Sequence, residues 1–518
     1  MPEPMNPNPS ERLKTRFAPF FRAAPEYLTC WLDFGLLVCL FLMALALPHS
    51  IAATQTAWLL GMLCWTLRFA LRPRPTVYRT PLDYALLGFF ILTGLSAFLS
   101  YEPFVSIGKL RAASLFTIVY LVSQNIPSRR VFRALALTLV ASCTVNVAFT
   151  LVQRAVGRGV KIEGLKPDSP LRPAGIADGD TLLEVDGQPL HNPEELAQAL
   201  SVKDERAALV RFYHLEAYWT TPVARGKLPE GNDALSRLGI GSWKRGRDWR
   251  AAGFYGHYVT YAEALQLIAS FAFGLFIAFR GRRHPKIRLL ALLVLACFVA
   301  AMVLTVTRAS WLALLISACV IVLAGASQRT ALILAACALL TVPVGLYVLQ
   351  QKRNVGFVDQ KDESIRWRET VWREGAQLLV SRPRHLLVGV GMDALKKHWR
   401  EWGLFDQGRL PVGHMHSNLL QLAVERGVPT LLLWLAWLAL YARMLWRLVR
   451  RRRDDARATR DEWIERGTVL GALGGLAGFF TSGLVHYNFG DSEVVMILYF
   501  IMGLTLFVER KAEEEEKA

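Results

Sequence analysis

Cysteine is scarce and poorly placed for chemistry. The seven cysteines among 518 residues, Cys30, Cys39, Cys64, Cys143, Cys297, Cys319 and Cys337, all fall in apolar runs, which excludes a disulfide framework or a zinc cluster. None of the ten histidines stands in a His-Glu-x-x-His arrangement, so the ligand spacing of an intramembrane metalloprotease is missing. Charge is nearly missing from the long apolar runs, which argues against a transporter or scaffold with ionisable groups at mid-depth. The first thirty residues are polar, Pro-rich and basic, without the short apolar core and small-residue cleavage site of a signal peptide.

What the chain has is apolar length. With 53% hydrophobic residues and 15 Trp it carries more apolar sequence than one soluble core could bury. Runs of about 20 residues, enough to cross roughly 30 Å of hydrocarbon, recur along most of it. They predict an all-α polytopic membrane protein with about twelve spans. The spans are placed near 28–48, 51–70, 82–100, 107–124, 131–153, 258–279, 287–306, 309–326, 330–350, 428–447, 467–486 and 492–508.

A formal charge of +18 would suggest nucleic acid in a soluble protein, but here the basic residues concentrate in short loops at 68–79, 129–133, 280–288 and 447–466. Every second loop is one of these or the short 327–330 link. The positive-inside rule makes that side cytoplasmic, so nucleic acid is not expected as a partner. The predicted order is therefore a cytoplasmic segment 1–27, helices one to five within 28–153, and a periplasmic insertion 154–255. Helices six to nine follow within 256–350, then a periplasmic catalytic loop 351–427, helices ten to twelve within 428–508 and a cytoplasmic tail 509–518. The glutamate run 513–516 reads as a solvated tail.

Between Val160 and Tyr213, short β-branched runs alternate with turns at Pro167-Asp-Ser-Pro170, Ala174-Gly175, Asp178-Gly179-Asp180 and Asp186-Gly187. A helix capped near Asn192 follows. This resembles a small α+β PDZ domain of the bacterial protease-associated type, over about 160–213. PDZ domains capture extended peptides by strand addition, which implies a protein partner. No carboxylate-binding loop is obvious, so a spacer or docking surface stays open beside peptide capture.

Several arginines fall on the outer side despite the charge rule: Arg250 before the sixth span, Arg308 in Thr305-Val-Thr-Arg308-Ala-Ser-Trp311, and Arg366 and Arg368 opening an amphipathic stretch that ends at Trp372. A cation at membrane depth costs about 2.5 to 3.5 kcal/mol on the lenient insertion scale, so Arg308 calls for an anionic partner unless it snorkels to the headgroups. Guanidinium forks bind phosphate oxygens bidentately, which suits a diphosphate ligand. Lys109 and Arg111 are weaker candidates for the same anion.

The stretch His414-Met-His416-Ser417-Asn418-Leu-Leu-Gln421 lies where a polar loop runs into an apolar helix. An imidazole before a helix start stays neutral, because the free N–H groups and dipole there disfavour imidazolium. Asn418 with Gln421 reads as a capping box, which leaves His414 and His416 in the loop. Asn418, Gln421 and Glu425 then share one helix face, able to line a cleft or to face solvent.

His416-Ser417, nine residues, Gly427, two residues and Thr430 resemble the signature of bacterial O-antigen ligases, a family that extends to O-antigen polymerases and protein O-oligosaccharyltransferases. Arg368-Glu-Thr-Val-Trp372, Gly389-Val-Gly391, the Arg308 turn, Arg250-Ala-Ala-Gly253 and His486-Tyr-Asn488-Phe-Gly490-Asp491 also look like that family. The resemblance implies a GT-C-like membrane fold and a metal-independent glycosyltransferase of lipopolysaccharide biosynthesis in the bacterial inner (plasma) membrane. Its active site would be periplasmic and need no cofactor. It would move a glycan from undecaprenyl diphosphate to a lipid A-core hydroxyl, among membrane lipids. By that carry-over His416 is the catalytic base, Arg250, Arg308, Arg366 and Arg368 hold the diphosphate, and His414 and Asn418 contact substrate. A polymerase using a second lipid-linked glycan, or a protein-glycosylating relative, is the alternative. No Asp-x-Asp pair stands beside the motif.

Overall fold

The computed structural model describes residues 9–202, 204, 206–214, 217–226, 228–279, 284–329, 332–333, 363–451 and 462–517. The predicted span at 330–350 lies outside the described residues except for two positions, and so does Cys337.

The longer helices are α1 (Pro9–Ala46), α2 (Ile51–Ala70), α3 (Asp83–Phe98), a bent run α4 (Pro103–Asn125), α5 (Arg129–Val156), α6 (Pro193–Ser201) and α7 (Tyr258–Ala278). They continue with α8 (Pro285–Leu304), α9 (Arg308–Gly325), α10 (Glu363–Val380), α11 (Asn418–Arg426), α12 (Val428–Arg451), α13 (Glu462–Gly483) and α14 (Ser492–Lys517). Apart from 330–350, each predicted span coincides with a helix. Among the described residues, eight are long and apolar enough to cross a membrane: α1 over Tyr27–Ala46, α4, α5, α7, α8, α9, α12 and α14. The shortfall from about twelve has physical causes. Helix α3 has only 16 residues, α2 is diluted by Thr, Gln and Trp, and α13 by glycine and a charged first turn.

Two compact units make up the chain. The first takes the described residues within 1–144, 262–296 and 307–518, the second those within 145–261 and 297–306. In the first, α8 leaves Leu289, Leu290 and Leu293 more than half exposed, the surface expected of a lipid-facing helix. Helix α14 is the opposite case, buried along most of its apolar length. Helix α13 packs through glycine. A Cβ at Gly467 would stand 2.6 Å from Leu275 Cα, and one at Gly471 2.6 Å from Phe271 Cα, so α13 and α7 touch backbone to backbone.

The second unit holds an antiparallel sheet of β1 (Arg158–Glu163), β2 (Thr181–Val185), β3 (Gln188–Pro189), β4 (Ala208–His214), β5 (Ala217–Val223) and β6 (Ser242–Gly246), ordered β5-β4-β2-β1-β6 with β3 on β2. The turns foreseen in the sequence build it. Asp178 Oδ1 accepts from Leu165 N at 3.0 Å, and Asp180 Oδ2 from Ala177 N at 2.8 Å. Asp186 and Gly187, both at positive φ, close the β2–β3 hairpin. Asn192 caps α6 by accepting from Glu195 N at 3.0 Å. Helix α6 covers a core of Leu182, Leu196, Leu200, Val210 and Phe212. Strands β5 and β6 extend the sheet past the segment that the turn pattern marks. Ser242-Trp-Lys-Arg-Gly246 has one apolar residue and no alternation to read.

Candidate functional site

The His414–His416 loop is pinned by its central residue. Met415 is fully buried, its N–H donates to Gln421 Oε1 at 2.6 Å, and its carbonyl accepts from Trp372 Nε1 at 2.9 Å. The flanking His414 and His416 are half-buried. His416 takes φ +48, a left-handed conformation uncommon for a side-chain-bearing residue and recurrent at functional sites. Its N–H donates to His414 Nδ1 at 3.2 Å, the two rings lie 4.0 Å apart, and the Trp367 ring meets His416 edge-on at 4.2 Å.

Helix α11 begins at Asn418, as expected, but the capping box does not form. Ser417 holds the cap position without a side-chain hydrogen bond. Asn418 Nδ2 instead donates to Asn488 Oδ1 at 2.6 Å and its Oδ1 accepts from Phe489 N at 3.1 Å, while Gln421 reaches back to Met415. Asn418, Gln421 and Glu425 do share a face, and it is buried rather than solvated. Glu425 Oε1 accepts from Asp393 N at 2.9 Å, and burial raises its pKa against the opposing pull of Arg426. The face is used to tie loops to the helix.

A second imidazole belongs to this neighbourhood. His486 Nδ1 lies 2.9 Å from Glu263 Oε1, to which Ser482 Oγ also donates at 3.3 Å. Glu263 is 2% exposed, a carboxylate inside α7, so the apolar runs are less free of charge than the sequence suggested. The signal was available: one ionisable residue within a span calls for a partner. Arg368 Nε donates to Val485 O at 3.3 Å, beside His486. Burial first, then the charges of His414, Arg368 and His486, push the His416 pKa down to about 2. The ring is neutral at any ordinary pH.

The structure thus brings together His416, His414 and Arg368, and turns Asn418 toward Asn488. Arg308 is the half-buried first residue of α9 and Arg366 an exposed residue of α10, both in the same unit as His416. Arg250 belongs to the second unit, where its guanidinium lies 4.4 Å from the Tyr258 ring centroid and its carbonyl accepts from Tyr218 Oη at 2.6 Å. Lys109 pairs with Asp393 at 2.6 Å, and Arg111 is exposed. Lys109 and Lys396 outweigh burial and hold the Asp393 carboxyl below its usual range.

Residues 292–435 match the family model described as O-Antigen ligase, and residues 161–212 match that of the PDZ domain. The first match takes in Arg308, Arg366, Arg368 and the His414–Asn418 loop. That segment is similar to O-antigen ligases, and eight helices among the described residues are long and apolar enough to cross a membrane. Among curated proteins, the chain is similar to the magnetosome formation protease MamE of Magnetospirillum gryphiswaldense, 47% identical over 45 residues, or 9% of this chain. It is also similar to MamE of Paramagnetospirillum magneticum, 52% identical over 42 residues, or 8% of this chain. The chain spans 6% of the length of each.

Proposed function

We propose that the protein transfers a glycan from undecaprenyl diphosphate to a lipid A-core hydroxyl at the periplasmic face of the inner membrane, with His416 as general base. The observation that carries this reading is a neutral, half-buried imidazole in a left-handed backbone conformation, beside Arg368 and inside the segment that matches the O-antigen ligase family.

A sugar hydroxyl is a poor nucleophile near neutrality. His416 takes its proton as the oxygen forms a bond to the anomeric carbon, and the anomeric C–O bond to the diphosphate breaks with its electron pair leaving on undecaprenyl diphosphate. A positioned base accelerates such a step by about a hundredfold to ten-thousandfold. Arg368, with Arg308 and Arg366 as further diphosphate ligands, stabilises charge growing on the leaving group. Burial is the first cause of the lowered His416 pKa and Arg368 a lesser one, so an anion beside Arg368 eases part of the depression and favours proton uptake by His416. His414, through the nitrogen that accepts from the His416 N–H, fixes the loop. His486, with Nδ1 engaged by Glu263, has Nε2 left for a hydroxyl or phosphate oxygen.

The test supplies purified protein with labelled lipid-linked glycan and offers lipid A-core, a second lipid-linked glycan and polypeptide. Label on lipid A-core that disappears with His416→Ala is the expected result. Label on the second glycan makes the protein a polymerase, and full transfer by His416→Ala removes the base assignment.

A further inference from the structure

At the end of α5 the second unit carries a basic pocket that the transfer reaction does not use. Its volume is about 680 Å³ and its walls include Arg154, Lys161, Lys244, Arg245 and Arg247, with Asp248 as the single carboxylate. Five cations against one anion leave a formal excess of four positive charges. Part of that excess is already engaged. Arg154 Nη1 donates to Trp249 O at 2.7 Å, Lys161 pairs with Asp248 at 2.5 Å, and Lys244 pairs with Glu163 at 2.5 Å. The side chains of Arg245 and Arg247 are exposed and have no ion-pair or hydrogen-bond partner among the described residues. Two free guanidinium groups two residues apart, over a wall of further cations, suit the oxygens of a phosphate.

The base of the pocket identifies the source of that phosphate. Val156, the last residue of α5, lines it. Val152 and Val156 are 61% and 59% exposed, and Phe149 stacks on the exposed Phe254 at 4.3 Å. Cationic walls directly beyond an exposed apolar helix end match a molecule with a charged head and a hydrocarbon tail. We propose that this pocket binds the phosphate of a net anionic lipid headgroup where α5 leaves the bilayer. The site rests on α5 crossing the membrane and is independent of the glycosyl-transfer reading.

Native mass spectrometry of the full chain in neutral detergent tests it, with short-chain phosphatidic acid as probe and phosphatidylcholine and inorganic phosphate as comparators. Phosphatidic acid is expected to bind in preference to both, more weakly as salt rises. The double variant Arg245→Ala with Arg247→Ala is expected to lose about tenfold in affinity, and the Arg→Lys pair less, because lysine keeps the charge and loses the fork. Both residues are exposed, so the variants fold. Equal binding of phosphatidylcholine, or an unchanged affinity in the Ala variant, overturns the site. Binding of inorganic phosphate as tight as that of the lipid makes it a free-anion site and overturns the lipid assignment. Because the readout is binding, its failure is distinct from a failure of glycan transfer.

Discussion

The two units use polar residues in opposite ways. In the sheet unit, Asp178, Asp180, Asp186 and Asn192 accept from backbone N–H groups of loops, of strand β4 and of a helix start, and the interior under them is apolar. In the helical unit, Glu263, Asn418, Gln421, Glu425 and Asn488 are buried and bonded to residues brought in from other helices and loops. Burying a polar group costs free energy even when it is paired, and an apolar substitute of the same shape is often as stable. A helical bundle that keeps so many beside two histidines and an arginine keeps them for what they position, whereas the turns of the sheet unit need theirs to fold.

That contrast can be broken or sharpened by measurement. The largest effect is expected from His416→Ala, a loss of about a hundredfold to ten-thousandfold in glycan transfer with unchanged membrane insertion. An isotope-labelled donor assay reads it. Glu263→Gln keeps the shape and removes the carboxylate opposite His486. A hydrogen bond between neutral groups is worth about 0.5 to 1.5 kcal/mol, so kcat is expected to fall by about two- to tenfold with a smaller change in KM. A fall confined to protein yield would make the pair structural. Gly471→Ala puts a methyl against the α7 backbone and is expected to cost about 1 to 3 kcal/mol, seen as a lower unfolding temperature of the helical unit.

On the other side of the comparison, Asn192→Ala is expected to cost about 1 kcal/mol. Faster amide exchange in β2 and β4 would report it, at unchanged transfer. The smallest effect is an expected flatness. With the folded His416 pKa near 2, below the ordinary value of 6.5, kcat/KM should show no acid limb at the usual imidazole position. Between those two values the unfolded chain takes up a proton that the folded chain refuses, so this residue's contribution to stability falls as pH falls through that window. A limb near 6.5 in kcat/KM that persists in His416→Ala would mean that another histidine is the base.

What could be read in advance was local. Gly179, Asp186 and Gly187 announce their turns because each holds a positive φ that glycine and aspartate tolerate, and the apolar runs announce helices by length alone. The His414–His416 loop was legible because polarity changes sharply at Asn418. The capping box failed for the complementary reason. Asn-x-x-Gln reads the same whether the amides serve their own helix start or, as here, Met415 and Asn488. Glu263 and His486 lie 223 residues apart, and no periodicity joins them. Strand β6 is specified by its partner β1 rather than by its own alternation.

The glycine contacts of α13 carry one more consequence. Helices that touch through Gly467 and Gly471 have no layer of side chains to roll over, so shear between α13 and α7 would drive backbone into backbone. The anchorage of Glu263 then behaves as a fixed anvil. Whatever accommodation a bulky glycan demands falls to the connecting segment 404–417, where Phe405, Asp406, Gln407 and His416 already hold left-handed dihedrals.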